Sequence, residues 1–387
     1  MSEPFANYQF GVYLAGLSGL LPELPMTCEA MESVAREKLS PGAYGYVAGG
    51  AGSEDTMREN LAAFRRRRIV PRMLRDVGER DLSIELFGKR FESPILLAPV
   101  GVQGIVHPEG ELATARAAAA TGVPFVLSTA SSRTLEEVAS VAGEVQRWFQ
   151  LYWPRDKDVA ASLLARAEKA GYSALVVTLD TWLLAWRPRD LEQAYLPFLR
   201  GEGIANYLSD PAFRAGLAAP PEEDLQGAVM KFVGLFSDPT VTWTDLAFLR
   251  EHWSGPIILK GILRPDDARR AVEAGMDGII VSNHGGRQVD GAIASLDALP
   301  AVAGAVPSGF PVLLDSGVRT AADIFKAIAL GARAVLIGRP FMWGLAVAGQ
   351  SGVEHVLRCL LAELDLTLAL SGYSALAEVG TDAIRTE

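Results

Sequence analysis

The chain alternates between two kinds of segment. Eight short runs are apolar throughout and end in a polar or glycine-containing turn: Pro94–Pro99, Val123–Ser128, Arg147–Tyr152, Ala174–Asp180, Pro256–Gly261, Gly278–Asn283, Pro311–Ser316 and Ala334–Arg339. Continuous apolar character without alternation suits strands buried on both faces. Between most of them lie helical patterns, at Glu109–Thr121, Leu135–Ala142, Asp158–Ala170, Pro265–Ala274 and Ala321–Leu330. Gly122, Gly171, Gly275 and Gly331 follow as helix stops. Eight strand–helix units predict an α/β fold of the (β/α)8 TIM-barrel type, with a doubly wound open sheet as the rival. One spacing breaks the rhythm. Residues 181–255 separate the fourth strand from the fifth and include Ser209-Asp-Pro211 and Pro220–Asp224, which predicts a long lid loop. A helix is expected to resume at the capping box Thr242–Asp245. Residues 1–93 read as an N-terminal helical extension with a short hairpin, Leu82–Phe87 and Lys89–Phe91 across Gly88, packed on a barrel spanning 94–387.

A barrel requires its functional side chains at the C-terminal ends of the strands. In chain order those ends carry Pro99-Val100-Gly101, Ser128, Gln150 with Tyr152, Thr178 with Asp180, and Lys260. Ser282-Asn-His284-Gly-Gly-Arg287, Asp315-Ser316-Gly317-Val318-Arg319 and Gly338-Arg339 complete the set. Polar and charged groups inside buried strands are costly unless partnered or liganded, so this many at one face point to a site. The last two turns suit a phosphate, with glycines that admit close backbone approach and Arg319 and Arg339 supplying charge. Lys260 and Gln150 would then face the ring system of that ligand. His284 is a candidate general base, and Arg287 can fork a carboxylate.

Composition narrows the class. The 387 residues are 49% hydrophobic with net charge −10, and no basic tract is present, so neither nucleic acid nor an anionic membrane is expected as a partner. Cys28 and Cys359 make no metal spacing and read as reduced thiols, which suggests a cytoplasmic protein without a metal site. The apolar stretch Tyr8–Pro25 is broken by Gly and Pro and has no Lys or Arg before Arg36, so neither a signal peptide nor a membrane span is expected there.

The stretches Ile279–Gln288 and Leu314–Arg319, with Ala43–Ala51, Trp148–Tyr152 and Ile258–Gly261, resemble the signatures of the FMN-dependent 2-hydroxy acid oxidising family. The resemblance runs from about residue 28 to the C-terminus. Within the family, Thr178–Trp182, Trp186–Asp190 and Ala205–Pro211 are most similar to lactate 2-monooxygenase. It implies FMN contacts from Pro99, Val100, Gly101, Ser128, Gln150, Tyr152, Thr178, Lys260, Ser282, Asp315, Ser316, Gly317, Val318, Arg319, Gly338 and Arg339. It implies substrate contacts from Tyr46, Tyr152, Arg187, His284 and Arg287. Two departures from the plant glycolate oxidase pattern, Ala130 for Trp and Trp182 for Pro, leave substrate size open.

The implied chemistry is oxidation of a small L-2-hydroxy acid, L-lactate foremost, by a homotetramer or homo-octamer with O2 as acceptor. Arg187 and Arg287 would hold the carboxylate while His284 takes a proton, with hydride and carbanion routes both open. Lys260 would stabilise charge at the flavin, and either Asp180 or Asp190 could orient His284. Gly101, expected beside the flavin, would leave room for oxygen. Lactate 2-monooxygenase chemistry leads; an oxidase releasing keto acid and H2O2 is the alternative. More distant are a flavin-free lyase or isomerase using Lys260 as a Schiff-base residue and a non-catalytic flavin scaffold. His107, His252 and His355 are expected outside the site. Arg65–Arg68 reads as a solvated helix end or subunit contact, and Gly49–Gly52 as a close approach to Tyr46 or the flavin.

Overall fold

A computed structural model describes residues 4–387. The chain begins with helices α1 (Asn7–Gly16), α2 (Cys28–Lys38), α3 (Pro41–Ala48) and α4 (Asp55–Arg65). Strand β1 (Arg67–Ile69) and the hairpin β2 (Ile84–Leu86) and β3 (Lys89–Phe91) follow. The hairpin turns through Phe87 and Gly88, both at positive φ, as a tight two-residue β-turn requires.

Eight parallel strands then close into a barrel: β4 (Ile95–Leu97), β5 (Phe125–Ser128), β6 (Arg147–Leu151), β7 (Leu175–Thr178), β8 (Ile257–Ile262), β9 (Gly278–Val281), β10 (Val312–Leu314) and β11 (Ala334–Ile337). The crossover helices are α5 (Glu111–Thr121), α6 (Leu135–Val141) and α7 (Lys157–Lys169) in the first half. In the insertion after β7 come α8 (Pro188–Glu192), α9 (Ala205–Leu208), α10 (Pro211–Ala215), α11 (Leu225–Leu235) and α12 (Leu246–His252). Helices α13 (Pro265–Glu273), α14 (Ser295–Ala303), α15 (Ala321–Ala329) and α16 (Arg339–Leu370) complete the ring, and β12 (Ile384–Thr386) pairs back onto β1.

The strand pleat sorts side chains into two cores. Leu96, Val126, Trp148, Val176, Ile258, Ile280, Leu313 and Leu336 point inward and pack together, while Leu97, Leu127, Phe149, Val177, Leu259, Ile279 and Val335 face the helices. The hairpin plugs the bottom of the barrel with Ile84, Leu86 and Phe91, and the Phe87 ring meets Trp148 edge-on at 5.7 Å. Two residues beyond each inward apolar layer the period of 2 delivers Ser128, Gln150, Thr178, Lys260, Ser282 and Asp315 to the barrel mouth. All six are buried. The polar floor of the site is therefore the next inward layer of the same strands.

Two sequence expectations change. Residues 181–255 are not a long loop but a largely helical layer, because Ala228, Val229, Phe232 and Leu235 give α11 an apolar face. Tyr207, Phe213 and Phe232 are buried together, with Tyr207 and Phe232 rings 4.9 Å apart. Asp210 ties the layer to α7 through Arg166 at 3.0 Å. The box at Thr242 does form, with the Asp245 side chain accepting from the Thr242 amide. Arg67, read as part of a solvated end, is buried; it donates to the Ala63 carbonyl and pairs with Asp297 at 2.6 Å.

Candidate active site

His284 stands just past β9 in a loop with three consecutive left-handed residues, His284 (φ 59°), Gly285 (66°) and Gly286 (76°). Such a conformation persists at a non-glycine residue only when its surroundings hold it. The His284 amide donates to Ser282 Oγ (3.1 Å) and the Gly285 amide to Ser316 Oγ (2.9 Å). Asn283 exchanges amide hydrogen bonds with Asn60 of α4 at 2.8 and 2.7 Å, both side chains buried. The backbone of Gly50 and Gly52 packs on this loop; a Cβ at Gly50 would lie 3.0 Å from the Gly286 carbonyl, and one at Gly52 2.7 Å from Asp290. The Gly49–Gly52 stretch thus packs against the His284 loop.

Asp180, not Asp190, meets the imidazole: its Oδ1 lies 2.7 Å from His284 Nδ1 and also accepts from Thr181 Oγ1 at 3.1 Å. Burial alone would raise the Asp180 carboxyl, yet His284 and Lys260 bring it down to about 2. Burial pushes the His284 pKa below 6.5 despite the pull of Asp180, and Lys260 pushes it the same way. The arrangement is a neutral imidazole whose Nδ1–H donates to an ionised carboxylate, leaving Nε2 with a free lone pair. Nε2 points toward the Tyr152 hydroxyl, 3.5 Å away. Burial raises the phenol of Tyr152 to about 12 and that of Tyr46 in the same direction, so both remain donors.

Arg187 and Arg287 flank this base. Arg287 donates to the carbonyls of Tyr46 (2.6 Å) and Gly49 (2.7 Å), at the C-terminal end of α3, where helix carbonyls lack partners. Arg187, buried, donates to the Arg287 carbonyl (3.1 Å) and to Gln288 Oε1 (2.7 Å). Among the described residues no carboxylate lies within ion-pair distance of either guanidinium. Burial and the neighbouring Arg187 lower Arg287 to about 10, still a cation at neutral pH. Two cations without an anion, Arg187 buried and Arg287 half-buried, are a site awaiting one.

At the other end of the same cleft, Arg339 donates to the carbonyls of Val47 (3.0 Å), Gly285 (3.0 Å) and Gly49 (2.8 Å), again without a carboxylate partner among the described residues. Burial and the charges of Arg287 and Arg319 lower its pKa well below that of a free arginine. Gly317 has φ 96°, and a Cβ there would sit 2.7 Å from the Asn60 carbonyl, so no other residue fits. Gly338 caps the N-terminus of α16 with no side chain on its amides. These features fit the phosphate of a flavin. Between the two ends Lys260 Nζ donates to Ser282 Oγ at 3.0 Å and lies 3.3 Å from Asp315. Burial would discharge it, but Asp315 and Asp180 outweigh burial and hold its pKa above that of a free lysine. A permanently charged Lys260 suits negative charge on a flavin ring and opposes the Schiff-base alternative, which needs the free amine.

One cleft, partly open to solvent, joins both ends. It is lined by Tyr46, Pro99, Val100, Gly101, Tyr152, Arg187, Lys260, His284, Arg287, Asp315, Ser316, Gly317, Val318, Arg319, Gly338 and Arg339. Ser128, Gln150, Thr178 and Ser282 lie beneath it. There Ser128 Oγ donates to Gln150 Oε1 (3.0 Å), Gln150 Nε2 donates to Thr178 Oγ1 (2.9 Å), and Ser282 Oγ accepts from Lys260. Gly101 is glycine for a local reason, since a Cβ would lie 2.7 Å from the Ala130 carbonyl. Sequence reasoning missed Leu184, Phe198 and Phe236, which form an apolar wall from the helical insertion, and Thr181 beside the base. The only signal for the wall was apolar spacing inside a segment read as a loop. His107, His252 and His355 lie outside the cleft.

Comparison with known proteins agrees with this geometry. A family model for FMN-dependent dehydrogenases matches residues 35–386. The chain is 47% identical over 385 residues to an FMN-dependent alpha-hydroxy acid dehydrogenase of Penicillium citrinum, covering 98% of this chain and 96% of that one. It is 46% identical over 357 residues to an L-lactate oxidase of Lysinibacillus sphaericus, covering 92% of each. A crystal structure of mandelate oxidase superposes with TM-score 0.83 at 39% identity, covering 94% of this chain and 98% of that one. The uncompensated arginines, the charged lysine and the glycine cradle thus have one common explanation: the chain belongs to the FMN-dependent family that oxidises 2-hydroxy acids, and FMN is its cofactor.

Proposed function

We propose that the protein oxidises L-2-hydroxy acids to the 2-keto acids, with O2 as the final acceptor. The observation that carries this reading is the placement of two arginines without a carboxylate partner, Arg187 and Arg287, in one cleft with His284, which Asp180 orients. The arginines bind the substrate carboxylate, and Tyr46 and Tyr152 donate to its oxygens. His284 Nε2 takes the proton released on oxidation, and the Asp180 carboxylate offsets the positive charge that then forms on the ring. Bound FMN supplies a two-electron acceptor. The ammonium of Lys260, held by Ser282 and Asp315, would stabilise negative charge on the reduced cofactor. Phe198 and Phe236, with Leu184 at the exposed rim, receive the side chain of the acid, which supports substrates with an apolar side chain, lactate among them.

A second reading favours retention of the keto acid. The insertion walls the cleft, and a product held there while oxygen is reduced would be decarboxylated, so that L-lactate and O2 give acetate, CO2 and H2O. Relatives named as oxidases support the simpler outcome, L-lactate and O2 giving pyruvate and H2O2. Aerobic turnover of L-lactate with acetate, pyruvate and peroxide measured together separates them: equal pyruvate and peroxide without acetate is the oxidase result, and acetate without free peroxide the monooxygenase result. Failure of any L-2-hydroxy acid to bleach the flavin anaerobically would defeat both.

The clamp has its own test. Arg287→Lys keeps a charge but loses the planar fork, so KM for the hydroxy acid is expected to rise about tenfold or more while FMN content stays unchanged. Unaltered KM would remove Arg287 from the clamp. Self-association into a tetramer or octamer belongs to the same reading. It is supported by residues 4–22, which carry no charged side chain and in which Phe10 and Tyr13 are 63% and 65% exposed and Leu17 and Leu21 are 84% and 82% exposed.

A further inference from the structure

Arg187 reaches the cleft from an otherwise solvent-facing stretch. Leu183, Leu184 and Trp186 are 68%, 61% and 73% exposed, yet Arg187 between them and α8 is buried. Trp182 packs on the core, but the exposed positions after it gain little from packing, so hydrogen bonds are left to hold the stretch over the base. Its own helix does not, because α8 begins only at Pro188 and the Arg187 side chain makes no cap. Ser237 Oγ donates to the Trp182 carbonyl at 2.9 Å, but three hydrogen bonds that reach both ends of the segment converge on one side chain, Gln288. Its Oε1 accepts from Arg187 Nη2 at 2.7 Å. Its Nε2 donates to the Asp180 carbonyl at 2.6 Å and to the Leu183 carbonyl at 3.3 Å. The partners leave no freedom in the amide's orientation, since both carbonyls can only accept and the guanidinium can only donate.

We propose that Gln288 is a positioning residue for the oxidation, a clasp that closes the 180–187 segment so that the carboxylate clamp and the base are set by one amide. This rests on the roles given above to Arg187 and His284. The clasp holds one end of the segment at Asp180, whose carboxylate orients the imidazole, and the other end at Arg187, whose guanidinium meets the substrate. Gln288 adjoins Arg287 in sequence, and Arg187 also donates to the Arg287 carbonyl, so both arginines are held to one stretch of backbone. The Trp186 carbonyl adds a further anchor by accepting from the Gly52 amide at 3.0 Å. A hydrophobic residue of the same length would fill the space and hold neither end.

The test uses the FMN-loaded protein and the variants Gln288→Met, which keeps the shape without the hydrogen bonds, and Gln288→Glu, which keeps an acceptor for Arg187 but opposes two carbonyls. Amide hydrogen exchange across residues 180–187, measured without substrate, is expected to speed up about tenfold or more in Gln288→Met, with exchange in the barrel strands and FMN content unchanged. In turnover, KM for the best hydroxy acid is expected to rise about tenfold in Gln288→Met. It should rise further in Gln288→Glu, whose carboxylate occupies the clamp that the substrate needs. Exchange and KM within about twofold of wild type in Gln288→Met would overturn the clasp. Should Gln288→Met fail to fold, unchanged KM in Gln288→Glu overturns it instead. A wild-type flavin that no hydroxy acid bleaches would count against the proposed function, while the substrate-free exchange would still decide whether Gln288 closes the segment.

Discussion

Replacing His284 with Ala is expected to slow reduction of the bound flavin by a 2-hydroxy acid about 10²-fold or more, the scale on which a general base contributes. FMN should remain bound, because the Ala side chain disturbs none of Lys260, Arg319 or Arg339. Stopped-flow bleaching under anaerobic conditions, with FMN content determined by visible absorption, reads both at once. Near-normal bleaching would assign the proton to another group. The pH dependence carries a sign. Burial and Lys260 place the His284 pKa below 6.5, so the neutral, basic form predominates at neutral pH. Reduction by wild type should therefore hold through neutral pH and fall only as pH drops through that lowered value.

The second large effect is expected for Asp180→Asn. The carboxylate has two actions on His284: it accepts the Nδ1 proton, which leaves Nε2 as the basic nitrogen, and its charge raises the proton affinity of the ring. An amide can present its NH2 group to Nδ1 and favour the wrong tautomer, and it carries no charge to stabilise the imidazolium. Flavin reduction should fall about 10²-fold or more by the loss of both. The acid limb of the pH profile should move to still lower pH, because the interaction that raised the His284 pKa has gone while burial and Lys260 remain. A shift of that limb to higher pH would contradict the pairing. A full rate in Asp180→Asn would show that orientation comes from Thr181, whose hydroxyl lies 3.3 Å from Nδ1.

Together these variants describe how the site balances charge. Five cations, Lys260, Arg187, Arg287, Arg319 and Arg339, converge on one cleft, against Asp180 and Asp315. The acidic groups serve the base and the lysine, so the arginines remain for the substrate carboxylate and the flavin phosphate. The carbonyls of Tyr46, Val47, Gly49, Gly285 and Arg287 hold the guanidiniums in place without neutralising them. Backbone acceptors orient a cation at lower electrostatic cost to its next ligand than a carboxylate would.

Much of this is legible in the sequence because it is local. Buried strands announce themselves by continuous apolar runs, and the period of 2 within each strand carries the next inward residue after the apolar layer to the barrel mouth. Ser128, Gln150, Thr178, Lys260, Ser282 and Asp315 follow from that period alone. His284 and Arg287 are legible for the same reason, as polar residues at a strand end. Other assignments depend on segments far apart in the chain. Asp180 and Asp190 are equally good partners for His284 by sequence; only the fold brings one carboxylate to 2.7 Å. The aromatic wall of Phe198 and Phe236 is hidden because amphipathic spacing in a long insertion does not say which core it joins. Asn60 and Gln288 carry no chemistry of their own. Their roles arise from hydrogen bonds to residues 223 positions away for Asn60 and about a hundred positions away for Gln288. Sequence alone thus determined which residues reach the barrel mouth, since strand geometry is a local property. The tertiary structure decided how they are paired, because directional hydrogen bonds form only between groups that the whole fold has brought within about 3 Å of one another.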